Sequence, residues 1–301
     1  MAWAVRVAHP PLHSICSPQP GSVTIPILDA HRRVVALLGG QPRDSRWADV
    51  ARDAEAAMQE HEPHIRLSRK RRHHRRAQTR FAPLSRGISH GGGQQEPGFL
   101  QTSATNSPIV ESLATHPAFV RIAGFTAALF QLWAPQLFTY YHSTLAALKS
   151  WDPALCQNFP GSPFAACTWN FGMAVCALHL DFANLAWGWC AVTALGDFDP
   201  DYGGHLILWD WKLVIRFPPG STILIPSTLL RHSNTRIRKF ERRSSFVQYT
   251  AGALFRWVDN QFMTNNDFNA LASEKEQAAR AERAKTRWEQ GLNMFSKVDQ
   301  L

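Results

Sequence analysis

The sequence is short of cysteine, of long apolar runs and, over one stretch, of acid. Five cysteines, Cys16, Cys156, Cys167, Cys176 and Cys190, are scattered through 301 residues without a CxxC pair, and no secretory n-region and h-region precede them. An odd, unpaired set speaks against a disulfide framework and for a reducing compartment, nucleus or otherwise cytoplasm. The most apolar stretch, residues 122–130, is flanked by Arg121 and Gln131 and soon meets Pro135, too little to span a bilayer, so no membrane partner is expected. Acid is missing between Arg66 and Arg80, where Arg66, Arg69, Lys70, Arg71, Arg72, Arg75, Arg76 and Arg80 supply eight positive charges. The chain carries a net charge of +9, so removing those 8 leaves +1 for all the rest. The basic character is therefore local.

Residues 1–106 mix Pro, Gly, Ser, His and Arg, including Gly91-Gly92-Gly93, with little sustained apolar periodicity. This composition predicts a mostly disordered, basic N-terminal region, with room for a short helix over 48–60. The run 69–76 reads as a nuclear-localisation or phosphate-binding patch, or as a solvated charge run. Order is expected from Pro108 onward. Ala134, Phe138, Tyr141, Leu145 and Leu148 recur at helical spacing, and Pro135 suits a first turn. From Cys167 the pattern turns to strands over 187–195, 205–209, 212–217, 221–225 and 243–249, separated by turn sequences such as Pro218-Pro219-Gly220. The reading is a mainly β domain with flanking helices (α+β), a double-sheet jelly roll or barrel over 107–268. An amphipathic helix in 269–301, with Ala281, Trp288, Leu292 and Phe295 on one side, is expected to pack on it.

His179-Leu180-Asp181 is the candidate for chemistry, because residues two apart in extended backbone point the same way. A non-haem iron site needs two imidazoles and one carboxylate on one face of the metal. Alone the pattern is weak: thirteen His and thirteen Asp make about half an HxD by chance. A third ligand must follow, and only His205 and His232 do. His232 lies beyond a turn-bounded strand that can fold back on the HxD. Eleven residues later, strand alternation puts Arg243, Ser245, Val247 and Tyr249 on one face and Arg242 on the other. An inward arginine must be paired, and a guanidinium matches the distal carboxylate of 2-oxoglutarate. Alternation by itself leaves Arg242 open as the competitor.

Taken together, Asn170-Phe171-Gly172, His179-x-Asp181-x-x-Asn184, Gly203-Gly204 and Arg243-x-Ser245-x-Val247-x-Tyr249 make residues 159–262 resemble the ten-eleven-translocation/J-binding-protein family of dioxygenases, its mushroom-forming fungal set in particular. The resemblance implies a double-stranded β-helix and Fe(II), 2-oxoglutarate and O2 as cofactors. It also implies oxidation of the 5-methyl group of a pyrimidine, 5-methylcytosine or thymine, in nucleic acid, DNA first. His179, Asp181 and His232 would hold the metal, Arg243 and Ser245 the co-substrate, Asn184 the base edge and Tyr249 the base face. Two departures stand out. Ala251 occupies the place of a base-contacting His in the animal branch, and the Cys-rich zinc module of that branch is missing. The alternatives are an oxygenase of the same kind acting on a protein or small molecule, and a degenerate, non-catalytic DNA-binding copy.

Overall fold

The computed structural model describes residues 24–68 and 81–301; the basic run at 69–76 lies outside the described residues. In chain order the elements are β1 (Ile25–Leu28), β2 (Val34–Gly40), α1 (Trp47–His61), β3 (Ala82–Ser89), β4 (Gly98–Phe99), α2 (Ser107–Thr115), α3 (Pro117–Trp133) and α4 (Pro135–Trp151). The strand-rich part follows with β5 (Ala166–Phe171), β6 (Cys190–Asp197), β7 (Leu206–Leu208), β8 (Leu213–Ile215), β9 (Thr222–Ile225), β10 (His232–Asn234) and β11 (Arg242–Tyr249). It closes with α5 (Gly252–Asp259), α6 (Asn265–Leu271) and α7 (Glu274–Asn293).

Two antiparallel sheets face each other, as a jelly roll requires. The large one runs β1-β2-β9-β6-β11-β5-β3-β4 and the small one β10-β7-β8. Strand periodicity sorts the residues between the sheets from those outside. Ile223 and Ile225 of β9 meet Leu206, Leu208, Ile215 and Leu230 in the inter-sheet core. Trp169, Leu195 and Phe246 point the other way, into a core shared with α1, α2 and α3. The prolines shape that helical layer. His116 is extended (ψ 130°) because Pro117 follows it, and Ala134 leaves helical geometry before Pro135, so three helices start at three prolines. Among the described residues no single helix is long and apolar enough to cross a membrane; α2 and α3 pass that test only as a pair bent by 62°. Phe119, Ile122 and Phe130 of α3 are buried in the core.

Two expectations are corrected. The region before residue 107 does not stay outside the fold: β1, β2 and β3 belong to the large sheet, and α1 covers its outer face. Every residue of β2 is buried, so its Val-Val-Ala-Leu-Leu run is the continuous apolar signature of a strand covered on both faces and shows no alternation. β1 pairs with it on one edge, and partners from far along the chain add to this, Leu37 standing opposite Leu224 on the other edge and Val34 N–H donating to the Ser296 carbonyl (2.9 Å). The helix expected at 48–60 is present as α1. The second correction concerns α7. Its apolar packing is confined to its end, where Gly291 lies against the Trp187 ring and Phe295 beyond it is buried; earlier Arg280 lies over the Phe268 ring (4.8 Å), whereas Ala281 and Trp288 are exposed. A capping box, Ser273 with Glu276, satisfies its first turn in solvent.

Candidate metal centre

Residues 176–181 have no strand partner of their own in sequence, yet they extend the small sheet beyond β10. His179 and His232 exchange both backbone hydrogen bonds at 3.1 Å, and Asn234 N–H donates to the Cys176 carbonyl at 3.1 Å. The two imidazoles are thereby set directly opposite on adjacent strands, with ring centroids 4.2 Å apart. Asp181, two residues on, points to the same side. Its backbone is clamped from both directions: its N–H donates to the Ser227 carbonyl (2.9 Å) and its carbonyl accepts from Thr228 Oγ1 (3.1 Å). His179 Nε2 and His232 Nε2 each lie 3.8 Å from a different carboxylate oxygen of Asp181. All three donor atoms fall within 4.8 Å of one another.

The tautomers are set by the same backbone. His179 Nδ1 sits 2.8 Å from the Ala177 carbonyl and His232 Nδ1 2.8 Å from the Leu230 carbonyl. A carbonyl can only accept, so each Nδ1 carries the hydrogen and each Nε2 presents a lone pair toward Asp181. Hydrogen-bonding the far nitrogen in this way is how metal-binding imidazoles are oriented. Cys190, close to Asp181, does not compete: burial, helped by that carboxylate, pushes its thiol up to about 12. Two imidazoles and a carboxylate on one face fit Fe(II) with open positions for 2-oxoglutarate and O2. His205, the other candidate third ligand, is not part of the cluster; its Nδ1 faces Thr235 Oγ1 at 3.1 Å.

Arg243 and Arg242 fall on opposite faces of β11. Arg242 reaches outward to Glu62 and, at 3.6 Å, to Glu55 of α1. Arg243 is 2 % exposed and points between the sheets. Nη1 donates to the Ala174 carbonyl at 2.5 Å, while Nε and Nη2 are buried with no partner. Burial lowers the guanidinium to about 10, so it is still a cation at neutral pH. No ion pair to it is formed among the described residues. An uncompensated buried cation is costly, and two parallel unsatisfied N–H groups match a carboxylate. The residues present thus fit the distal carboxylate of 2-oxoglutarate.

Around this axis the inner face of the large sheet is polar. Ser245 accepts from Asn170 Nδ2 (3.0 Å), and Tyr249 and Ser85 each hydrogen-bond Thr168 Oγ1, at 3.3 and 2.7 Å. Burial raises the Tyr249 pKa, so the phenol keeps its proton. Asn184 lies in the loop after Asp181; its Nδ2 donates to Ser227 Oγ (3.1 Å) and its backbone bridges to Ala251, beside the start of α5. Sequence reasoning did not single out Ser227, Thr228, Thr168 or Ser85. The Pro226-Ser227-Thr228 turn before His232 was a usable signal for the first two, but Ser85 lay in the stretch read as disordered.

No family model and no curated protein matches the sequence. Among solved structures, NgTET1 in complex with 5mC DNA matches at a TM-score of 0.53 and 12% identity, over 73% of this chain and 73% of that one. The likeness is one of fold. An oxidoreductase of the 2OG-Fe(II) oxygenase family from Burkholderia pseudomallei aligns at a TM-score of 0.36 and 17% identity, over 69% of this chain and 91% of that one.

Proposed function

We propose that the protein is an Fe(II)- and 2-oxoglutarate-dependent dioxygenase that oxidises the 5-methyl group of a modified pyrimidine, 5-methylcytosine or thymine, in nucleic acid. The observation that carries the oxygenase reading is the facial His179, Asp181, His232 cluster inside a jelly roll that also buries an unpaired Arg243. When bound, Fe(II) with 2-oxoglutarate and O2 supplies a two-electron oxidation of a C–H bond, coupled to decarboxylation of the co-substrate to succinate. The chain's own contribution is positional. His179 and His232 keep Nε2 free of hydrogen through their carbonyl partners, Asp181 supplies the charge, and Arg243, with Ser245 on the same strand face, receives the distal carboxylate.

The nucleic-acid half of the proposal rests on the sequence resemblance and on the shared fold with NgTET1, whose structure holds 5mC DNA. The same resemblance supports a place in the fungal set and, with the basic run, nuclear residence. Tyr249 is assigned to stack on the flipped base and Asn184 to meet its edge. With Ala251 in place of histidine, the base edge has one polar partner fewer than in the animal branch. The test is mass spectrometry of nucleosides after incubating the full chain with 5-methylcytosine DNA, Fe(II), ascorbate and 2-oxoglutarate. The expected result is an oxidised 5-methyl product with matching succinate. Succinate with no oxidised base, restored by a peptide or small molecule, would move the substrate and keep the oxygenase; neither product from iron-loaded protein defeats both.

A further inference from the structure

A cavity of about 240 Å³ lies apart from the metal centre, between residues 90–94 after β3 and the face of α5 that carries Arg256, Trp257 and Asn260. It is smaller than the roughly 300–1,000 Å³ of whole-ligand pockets, so it suits one group of a larger molecule. Two of its buried polar atoms lack partners. Trp257 is 4% exposed, and its indole N–H, which can only donate, is buried with no partner. His90, whose ring packs edge-on against that indole at 5.0 Å, also buries Nδ1 without a partner. Gly92 and Gly93 have positive φ and nothing within 4 Å of where a Cβ would stand, so their backbone is open to close approach. Arg256 supplies a cation with no carboxylate partner among the described residues. Two nearby acids have partners of their own. Asp259 faces Arg283 and Arg287 of α7, and Asp267 is held by Thr264 (2.6 Å). Burial keeps His90 below its ordinary pKa, so Arg256 is the charge that an anion meets.

The cavity also lies at the correct end of the barrel. Tyr249, the last residue of β11, is opposite Ala166, and Ala166 is opposite Gly87 of β3. Both walls of the cavity therefore leave the large sheet at the Tyr249 end. Arg256 stands four residues into α5, about 6 Å along the axis from Gly252 at its start. We propose that this cavity is a phosphate subsite that holds a backbone phosphate of the nucleic-acid substrate while the neighbouring base enters the metal centre. The proposal rests on the nucleic-acid reading above. An unpaired indole N–H, open glycine backbone and one cation are what a phosphate requires, and a phosphate here fixes register without reading sequence.

The full chain, with 15N-labelled tryptophan, is titrated with inorganic phosphate and then with a short 5-methylcytosine oligonucleotide; Trp257→Phe assigns the indole resonance and keeps the ring. Phosphate is expected to shift that resonance saturably, and the oligonucleotide to produce the same shift at lower concentration. Arg256→Gln, an exposed change that leaves the melting temperature as in the wild type, is expected to weaken oligonucleotide binding about tenfold at low salt. It should also reduce the slope of log affinity against log salt by about 0.9. An unmoved indole, or an Arg256→Gln protein with unaltered affinity and slope, overturns the site. A phosphate shift that the oligonucleotide neither reproduces nor competes for overturns its assignment to nucleic acid. If the oligonucleotide binds through Arg256 and no base is oxidised, the subsite stands and the oxidation reading fails.

Discussion

Arg242 and Arg243 are chemically identical neighbours whose environments divide their work. Arg243→Ala is expected to raise the 2-oxoglutarate concentration needed for succinate formation by at least tenfold, because a charge-assisted bidentate contact contributes about 1.5–3 kcal/mol. Arg242→Ala is expected to leave that requirement alone and to lower stability by about 1 kcal/mol, the modest value appropriate to a guanidinium 37% exposed. Co-substrate titrations and thermal melts on both variants check the pair, and the reverse pattern would mean the facing of β11 is inverted. At Tyr249 the ring and the hydroxyl separate. Stacking on a base contributes about 1–3 kcal/mol, so Tyr249→Ala should cut oxidised base while 2-oxoglutarate decarboxylation without substrate persists. Joint loss of both products would mark Tyr249 as a residue that holds the sheet through Thr168.

Elements carry a different set of consequences. Glu55 of α1 is buried beneath Arg242, and desolvation holds its pKa above the ordinary glutamate value of 4.5. Its native state therefore keeps a proton that the unfolded chain has already released, and stability falls as pH rises from 4.5 toward the raised pKa. Glu55→Gln should flatten that decline, as melting temperatures across pH 4 to 8 will read; an unaltered slope would assign the effect to another group. At the other end of the molecule, Gly291 meets Trp187 so closely that an added Cβ would lie 2.3 Å from the indole. Gly291→Ala should cost about 1–2 kcal/mol, overpacking outweighing the gain in helix propensity near the end of α7. Because the earlier turns of α7 are held by their own polar contacts and not by Trp187, the loss should appear in the melting temperature and not in the helix content seen by circular dichroism.

For the whole molecule, electrostatics and fold are separable. The charge excess sits in residues 66–80, most of them outside the described structure, while the rest carries about one net positive charge. Removing residues 69–80 should weaken DNA binding most at low salt and leave base preference unchanged, since cations read phosphates and not base edges. Filter binding on methylated and unmethylated duplexes across a salt series checks this, and a changed preference would place that run near the base.

Local pattern was enough for β6, β7, β8, β9 and β11, for α4, and for His179 and Asp181 as a pair, because period-two and period-3.6 burial and the HxD spacing are written within a few residues. His232 over His205, and Arg243 over Arg242, stood open until β10 came to lie beside residues 176–181 and β11 took its register in the large sheet. The N-terminal strands were illegible for the same reason. β2 pairs with its sequence neighbour β1 on one edge, but it is a buried interior strand only because β9, far along the chain, covers the other edge and Ser296 of the C-terminal tail accepts from Val34. A chain's own periodicity reports which face of an element is apolar. What lies against that face, and which polar group is left without a partner there, is decided by contacts between segments distant in sequence.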